Sequence, residues 1–291
     1  MTASPPLATV RYGLPDEWRT RFTGLAGPDA APALLSPEVI AAVDDPQEPT
    51  ALAWTGVDDR GTTLLELTMV GDRPITGAEA VARAVLGELT DRRVDRWAHP
   101  ASAADDELAL RLGLHPDRAL HQMRCPLPLD RSSLAVRTFV PGSADEDSWL
   151  AVNNRAFAWH PDQGGWDIGR LHGQMAEDWF DAEGFLLHER DGRLAGFCWT
   201  KVHPASEADP AMGEIYVIAV DPDFHGQGLG RPMTLAGFDW LADQGLDVGM
   251  LYVEATNDAA VATYHGIGMH IHETHKSWTT AGPPPKLDIA P

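Results

Sequence analysis

The stretch VDPDFHGQGLGRPM, Val220 to Met233, places Gly226, Gly228 and Gly230 at alternate positions, directly after an apolar run and directly before a helical pattern. Glycine packs nothing and loses more backbone entropy on folding than any other residue, so such a ladder marks a sharp bend or a close approach to the backbone. A strand, a glycine-rich turn and a helix in that order offer several backbone N–H groups and a positive helix end to an anion. Two familiar phosphate loops do not fit. A Walker loop needs Gly-Lys-Ser/Thr, and no such triplet follows Gly230. A Rossmann fingerprint follows the first strand of a βαβ unit, whereas this loop follows three strands that read as antiparallel. With 43 acidic against 22 basic side chains, a formal charge of -21, a broad nucleic-acid or anionic-membrane surface is excluded, and an anionic ligand needs a local cradle.

The segments around the ladder read as alternating elements. LAVRTFV (134–140) is a strand, ADEDSWLAVNNRAF (144–157) a helix with an acidic first turn, and GFLLHERDGRLAGFCWTKV (184–202) a hairpin turning at Asp191-Gly192. GEIYVIAV is a central strand, PMTLAGFDWLADQG a helix stopped by Gly245, and VGMLYVEA a further strand. Asn257 caps the helix DAAVATYHG, and MHIHETHKSW is the last strand. The first half carries a weaker copy: TTLLELTMVGD for the apolar strand, GAEAVARAVLGEL for the long helix, and DELALRLGLHP matching AVATYHGIGMH. Aligning Leu112-Gly113-Leu114 with Ile267-Gly268-Met269 sets Ala109 against Tyr264, and the loop GDRPITGAE keeps only Gly77 of a glycine ladder. A boundary falls near PLPLDRSS (126–133), which predicts domains 1–130 and 131–291. Cys125 and Cys198 are the only cysteines, too few for a disulfide framework or a zinc cluster. With no leader-like start and no apolar run long enough to span a bilayer, the expectation is a metal-free, cytoplasmic monomer with frayed ends.

VDPDFHGQGLG resembles motif A of the GNAT superfamily of acyl-CoA-dependent N-acetyltransferases, commonly Gln/Arg-x-x-Gly-x-Gly/Ala. Gly228 and Gly230 stand at its last two fixed positions and His225 at its first. The order of strand, loop, helix, strand, Asn-started helix, GIGM and last strand extends the likeness over the whole second half. The resemblance implies an α+β fold of two tandem GNAT-like domains, each a mixed, mostly antiparallel sheet flanked by helices, the N-terminal copy degenerate. It also implies acetyl-CoA as acetyl donor. VNNRAFAWHPDQGGW, WTKVHP, GEIYV and LYVEATNDAAVATYHGIG are similar to tandem members that acetylate the cysteinyl amine of a glucosaminyl-inositol.

Acetyl transfer from a thioester to an amine needs a neutral amine, a fixed approach, an oxyanion donor and a proton for the leaving thiolate. An α-amine, with a reference pKa of about 7.7–8.0, needs only a modest base. Glu214, opening the strand beside the pocket, suits that role, and the family's general base is similar. Tyr264, about two turns into the helix capped by Asn257, can donate to the sulfur, because a phenol with a pKa of about 10 stays protonated at neutral pH. The plainer alternatives are a solvated strand-end carboxylate and a core tyrosine. Ile218, Ala219 and Val220 are read as running along the pantetheine arm. His225, Gly226, Gln227, Gly228, Leu229, Gly230 and Arg231 are read as surrounding the pyrophosphate. The resemblance adds Asn257, Asp258, Ala259, Ala260, Val261 and Ala262 beside the arm. It assigns Asp162, Lys201, Glu214 and Tyr252 to the acceptor, and SPEVI suggests Glu38 from the first half. Two other functions share these features: acetylation of a different amine, such as an aminoglycoside, and a non-catalytic acyl-CoA-binding module. The presence of both Glu214 and Tyr264 favours catalysis over the module.

Overall fold

A computed structural model describes residues 8–12, 40–43, 51–58, 61–69, 75–160, 162–207 and 209–280. Glu38, both terminal tails and the first-half loop at 70–74 lie outside the described residues. The chain divides into two compact units, Met1–Ala119 with Thr274–Pro291, and Leu120–Glu273.

The first unit holds strands β1 (Thr9–Tyr12), β2 (Ile40–Val43), β3 (Ala51–Val57), β4 (Thr63–Met69) and β5 (Val94–Ala98), with helices α1 (Ile75–Glu88) and α2 (Ala103–Leu112). These five strands pair in sequence order, and β5 then pairs with Lys276–Thr279 of β12 (His270–Thr279). All of these pairs are antiparallel except β4 with β5. Ala51, Ala53 and Leu65 of the sheet pack on Val81, Ala82 and Val85 of α1. Gly77, expected as the remnant of a ladder, lies inside α1 and is buried, so it serves helix packing rather than a loop. Ala109 is buried on α2, seven positions past its N-cap Ser102, and Tyr264 occupies the same place relative to Asn257 in the second unit.

The second unit repeats the pattern. Its strands run β6 (His115–Pro126), β11 (Val248–Glu254), β10 (Met212–Val220), β9 (Arg193–His203), β8 (Phe185–Arg190) and β7 (Arg137–Thr138). Again one pair is parallel, β10 with β11, and the other four are antiparallel. The boundaries between the units fall within β6 and β12, so the strand after α2 enters the second sheet and the strand after α6 (Asp258–His265) enters the first. A mixed sheet with helices on its faces is the predicted α+β class, and it occurs twice.

Alternation along the strands sorts side chains onto two faces of the second sheet. Ile215, Cys198, Leu251 and Val253 face α5 (Gly230–Asp243) and α6, with Phe238, Leu241 and Tyr264. Phe185, Phe197, Trp199 and Val217 face α3 (Ala144–Ala156) and α4 (Ile168–Met175), around Trp149 and Trp166. Helix α5 sits close because strand and helix both give up side chains: a Cβ on Gly237 would stand 2.4 Å from Cys198 Sγ, and one on Gly249 2.7 Å from Phe238. The expected strand 134–140 shrinks to Arg137–Thr138, where Arg137 is drawn to the carboxylates of Asp145 and Glu189 and Gly142 turns the chain at φ 73°. Among the described residues no helix is long and apolar enough to cross a membrane.

Candidate active site

Strands β10 and β11 stay paired only from Gly213 to Ile215 against Gly249 to Leu251. A β-bulge at Tyr216 then shifts β10 against β9, an irregularity that bends a strand and re-aims its side chains. Beyond it lies a cavity of about 530 Å³, lined by Ile218, Ala219, Val220 and His225 on one side and Thr256, Asn257 and Ala260 on the other, with Ala156, Phe157 and Trp159 at its margin. Six of the residues read as flanking the acyl-CoA therefore meet at one opening.

Local chemistry explains the loop that closes it. Asp221 is fully buried; its carboxylate accepts from the N–H of Asp223 and takes the Arg155 guanidinium, while its own N–H donates to the Ala195 carbonyl. This anchors a short 3₁₀ turn, Pro222–Phe224. The chain then passes Gly226 at φ 73° and Gly228 at φ 74°, left-handed values that favour glycine, and enters α5 at Gly230. Among the described residues the N–H groups of Gly226, Gln227 and Gly228 donate to no protein acceptor, and Leu229, at the N-cap of α5, supplies no side-chain cap. Unmatched N–H groups on a left-handed nest before a helix start suit a pyrophosphate. The His225 ring bonds the Val220 carbonyl at 2.9 Å, and the Arg231 guanidinium donates to the Gly266 carbonyl at 2.7 Å. Across the opening Asn257 caps α6 by accepting from the Ala260 N–H. Asp258, Ala259, Val261 and Ala262 complete the helix turns behind it.

Glu214, Lys201 and Tyr252 share the sheet face that looks toward α3 and α4. Glu214 lies opposite Lys201 in the β9–β10 register, and its charge helps raise the Tyr252 phenol, whose burial is the larger cause. Lys201 forms no pair with Glu214: its ammonium sits 4.7 Å from the Trp179 ring and 5.7 Å from the Tyr216 ring. Instead His203 Nε2 lies 2.7 Å from Glu214 Oε2. Tyr264 belongs to the core of the opposite face beside Cys198, and burial first, then the neighbouring thiol, pushes its phenol well above the usual range. Glu214, in the paired span of β10, and Tyr264 thus lie on opposite faces of the sheet, and neither is among the residues lining the cavity.

Asp162 lies in a loop organised by His160, whose Nδ1 accepts the N–H groups of Asp162 and Gln163 at 3.1 Å each. Gly164 is required there, since a Cβ would come within 2.3 Å of the Phe157 carbonyl oxygen. Trp166 is buried against Trp149 and donates to the Asp162 carbonyl. Both cysteines are buried, and burial raises the Cys125 thiol to about 12 and the Cys198 thiol as well. Protonated thiols are poor nucleophiles, so direct transfer suits the site better than an acetyl-cysteine intermediate. Among the described residues no group of His, Cys, Asp and Glu is placed to hold a metal.

Residues 151–269, all within the second unit, match the Acetyltransferase (GNAT) family model. A relative from Acidimicrobium ferrooxidans, named mycothiol acetyltransferase, is 45% identical over 223 residues, 72% of this chain and 71% of that protein. The chain belongs to the mycothiol acetyltransferase family. Its fold is similar to a GCN5-related N-acetyltransferase from Sphaerobacter thermophilus, with TM-score 0.67 at 17% identity over 94% of this chain and 95% of that one. It also resembles a tandem GNAT protein from the clavulanic acid biosynthesis pathway, with TM-score 0.57 at 14% identity over 96% and 99%. The chain is an acyltransferase with the tandem GNAT architecture.

Within this mycothiol acetyltransferase family member, several residues around the site escaped sequence reasoning. His203 sits two positions after Lys201, on the same strand face, and that period of two was a readable signal. Gln122 and Arg124 carried none: they lie on β6, where the Gln122 amide donates to the Tyr252 oxygen at 2.8 Å and the Arg124 guanidinium bonds the Gln122 carbonyl oxygen at 2.6 Å. Trp159 lines the cavity while 49% exposed.

Proposed function

We propose that the chain acetylates the cysteinyl amine of desacetylmycothiol (Cys-GlcN-Ins), with acetyl-CoA as donor, to give mycothiol. The observation that carries this is the opening between β10 and β11, with an unmatched N–H cradle at its end, on the same strand that carries Glu214 four residues before the first of that strand's lining residues, Ile218. In this reading Gly226 to Gly228 and the start of α5 bind the pyrophosphate, and Ile218 to Val220 face the pantetheine arm with Asn257 and Ala260. The bound donor supplies an acetyl thioester. Glu214 takes a proton from the attacking amine as the C–N bond forms, and Tyr264 gives its proton to the sulfur as the C–S bond breaks. Asp162, Lys201 and Tyr252 are assigned to the hydroxyl-rich remainder of the acceptor. All of these residues belong to one unit, in keeping with a monomeric catalyst, and both substrates are small solutes of the cytoplasm. CoA release measured with Cys-GlcN-Ins against a panel of other amines, aminoglycosides included, tests the assignment. A kcat/KM at least tenfold higher for Cys-GlcN-Ins is expected, and equal or better use of another amine overturns it.

A further inference from the structure

The partner of Glu214 is not the one that strand register would choose. Lys201 stands directly opposite it across the β9–β10 ladder, the position where an opposite charge ordinarily pairs. The Lys201 ammonium turns instead to the rings of Trp179 and Tyr216. Glu214 engages the diagonal neighbour, His203, through Oε2 at 2.7 Å. The Glu214 side chain is 9% exposed and that of His203 32%, so the ring reaches in from the more open end of the strand. Oε1 of Glu214 has no protein partner among the described residues. A buried carboxylate with one oxygen held and the other open has a defined rotamer and one reactive lone-pair set. A permanent cation at that oxygen would also weaken it as a base.

From this arrangement, which rests on the acetyl-transfer reading, we propose that His203 is a positioning residue: its Nε2 holds Oε2 of Glu214 so that Oε1 meets the acceptor amine. The ring acts through Glu214 and touches neither substrate. Small displacements of a reacting group can cost about 100-fold in rate, and that bounds the effect.

The test uses the full chain and two substitutions of His203. His203→Phe keeps a ring and removes both nitrogens, and His203→Gln offers an amide N–H at the reach of Nε2. With both substrates saturating, His203→Phe is expected to lower kcat by about 10- to 100-fold. The KM for acetyl-CoA and its calorimetric affinity should stay within about twofold of wild type in the same preparation, a split that general damage to the fold would not give. His203→Gln should recover kcat to within about threefold. Because the effect passes through the carboxylate, adding His203→Phe to Glu214→Gln should cost less than about threefold more. Full activity in His203→Phe, failure of His203→Gln to recover, or additive losses in the double variant each overturn the proposal. A wild-type chain that turns over Cys-GlcN-Ins no faster than other amines overturns the substrate assignment instead, and the His203 variants are then compared on the preferred amine. A wild-type chain that acetylates no amine overturns both.

Discussion

Substituting Gly228 by alanine isolates what the glycine ladder does. The residue sits at φ 74°, and an added Cβ would meet nothing within 4 Å, so the methyl clashes with no protein atom. The cost is conformational: an L-residue held in the left-handed region loses about 1–2 kcal/mol relative to glycine. Little compels the loop to bear that strain, because the N–H groups of Gly226 to Gly228 have no acceptors among the described residues and the ties there run through the exposed Gln227 side chain, which accepts from Arg190 and donates to the Asp223 carbonyl, so the backbone can relax. Binding then has to restore the cradle. At about 1.4 kcal/mol per tenfold in affinity, CoA should bind about 5- to 30-fold more weakly, with little change in Tm. Gly230→Ala is the matched control: Gly230 has no positive φ, open space around its Cβ position and a place at the start of α5. It should bind within about twofold of wild type, because alanine is preferred to glycine in a helix. Titration calorimetry of CoA into the three proteins gives the comparison. Wild-type affinity in Gly228→Ala, or an equal loss in Gly230→Ala, would refute the reasoning.

Three further outcomes follow from the site. Glu214→Gln should lower kcat/KM by about 10²- to 10⁴-fold, most severely below the pKa of the acceptor amine, and recover partly as pH rises; a loss uniform in pH across 6 to 9.5 counts against its role as base. Burial holds the Tyr264 phenol above its ordinary value of 10, so the donating form persists as pH rises and no alkaline fall in kcat should originate from it below pH 10. Tyr264→Phe should therefore lose activity by a constant factor over that range, and a wild-type alkaline limb that disappears in this variant would contradict the assignment. Gly237→Ala forces a Cβ to 2.4 Å from Cys198 Sγ, which should cost about 1–3 kcal/mol of stability as overpacking. The Tm of Gly237→Ala should fall and be restored by adding Cys198→Ala; a double variant no more stable than the single one would place the clash elsewhere.

Much of this was readable because the signals were local. The Asp191-Gly192 turn, with φ values of 54° and 72°, and the Asn257 cap each follow from what one or two side chains can do. The ladder announced its left-handed bends for the same reason. What stayed hidden depended on distant partners. Helix α4 is short, and it carries only Leu171 into the core. Strand β7 looked long by alternation, yet Val136 and Val140 are exposed and only Arg137 and Thr138 find partners on β8. Which sheet takes β6 or β12 is not encoded in either strand's own pattern, because antiparallel pairing with β11 or β5 demands only an alternating segment of suitable length. The link from Glu214 to His203 follows a diagonal across a regular stretch of ladder, before the bulge, where direct register favours Lys201.

The exchange of β6 and β12 between the two sheets bears on how the protein is made. A chain emerging from the ribosome, amino terminus first, has β1 to β5 and both first-unit helices in hand while the segment that pairs with β5, Lys276–Thr279, is still to be synthesised. Until that segment is made, the outward edge of β5 carries unpaired N–H and C=O groups, the kind of edge that recruits stray strands. The second unit receives β6 before any of its other strands, so it can complete its sheet as it emerges. The amino-terminal unit, though translated first, thus gains its last strand only after every other strand of both units has been made, and a premature stop that spares all of α6 still leaves it one strand short.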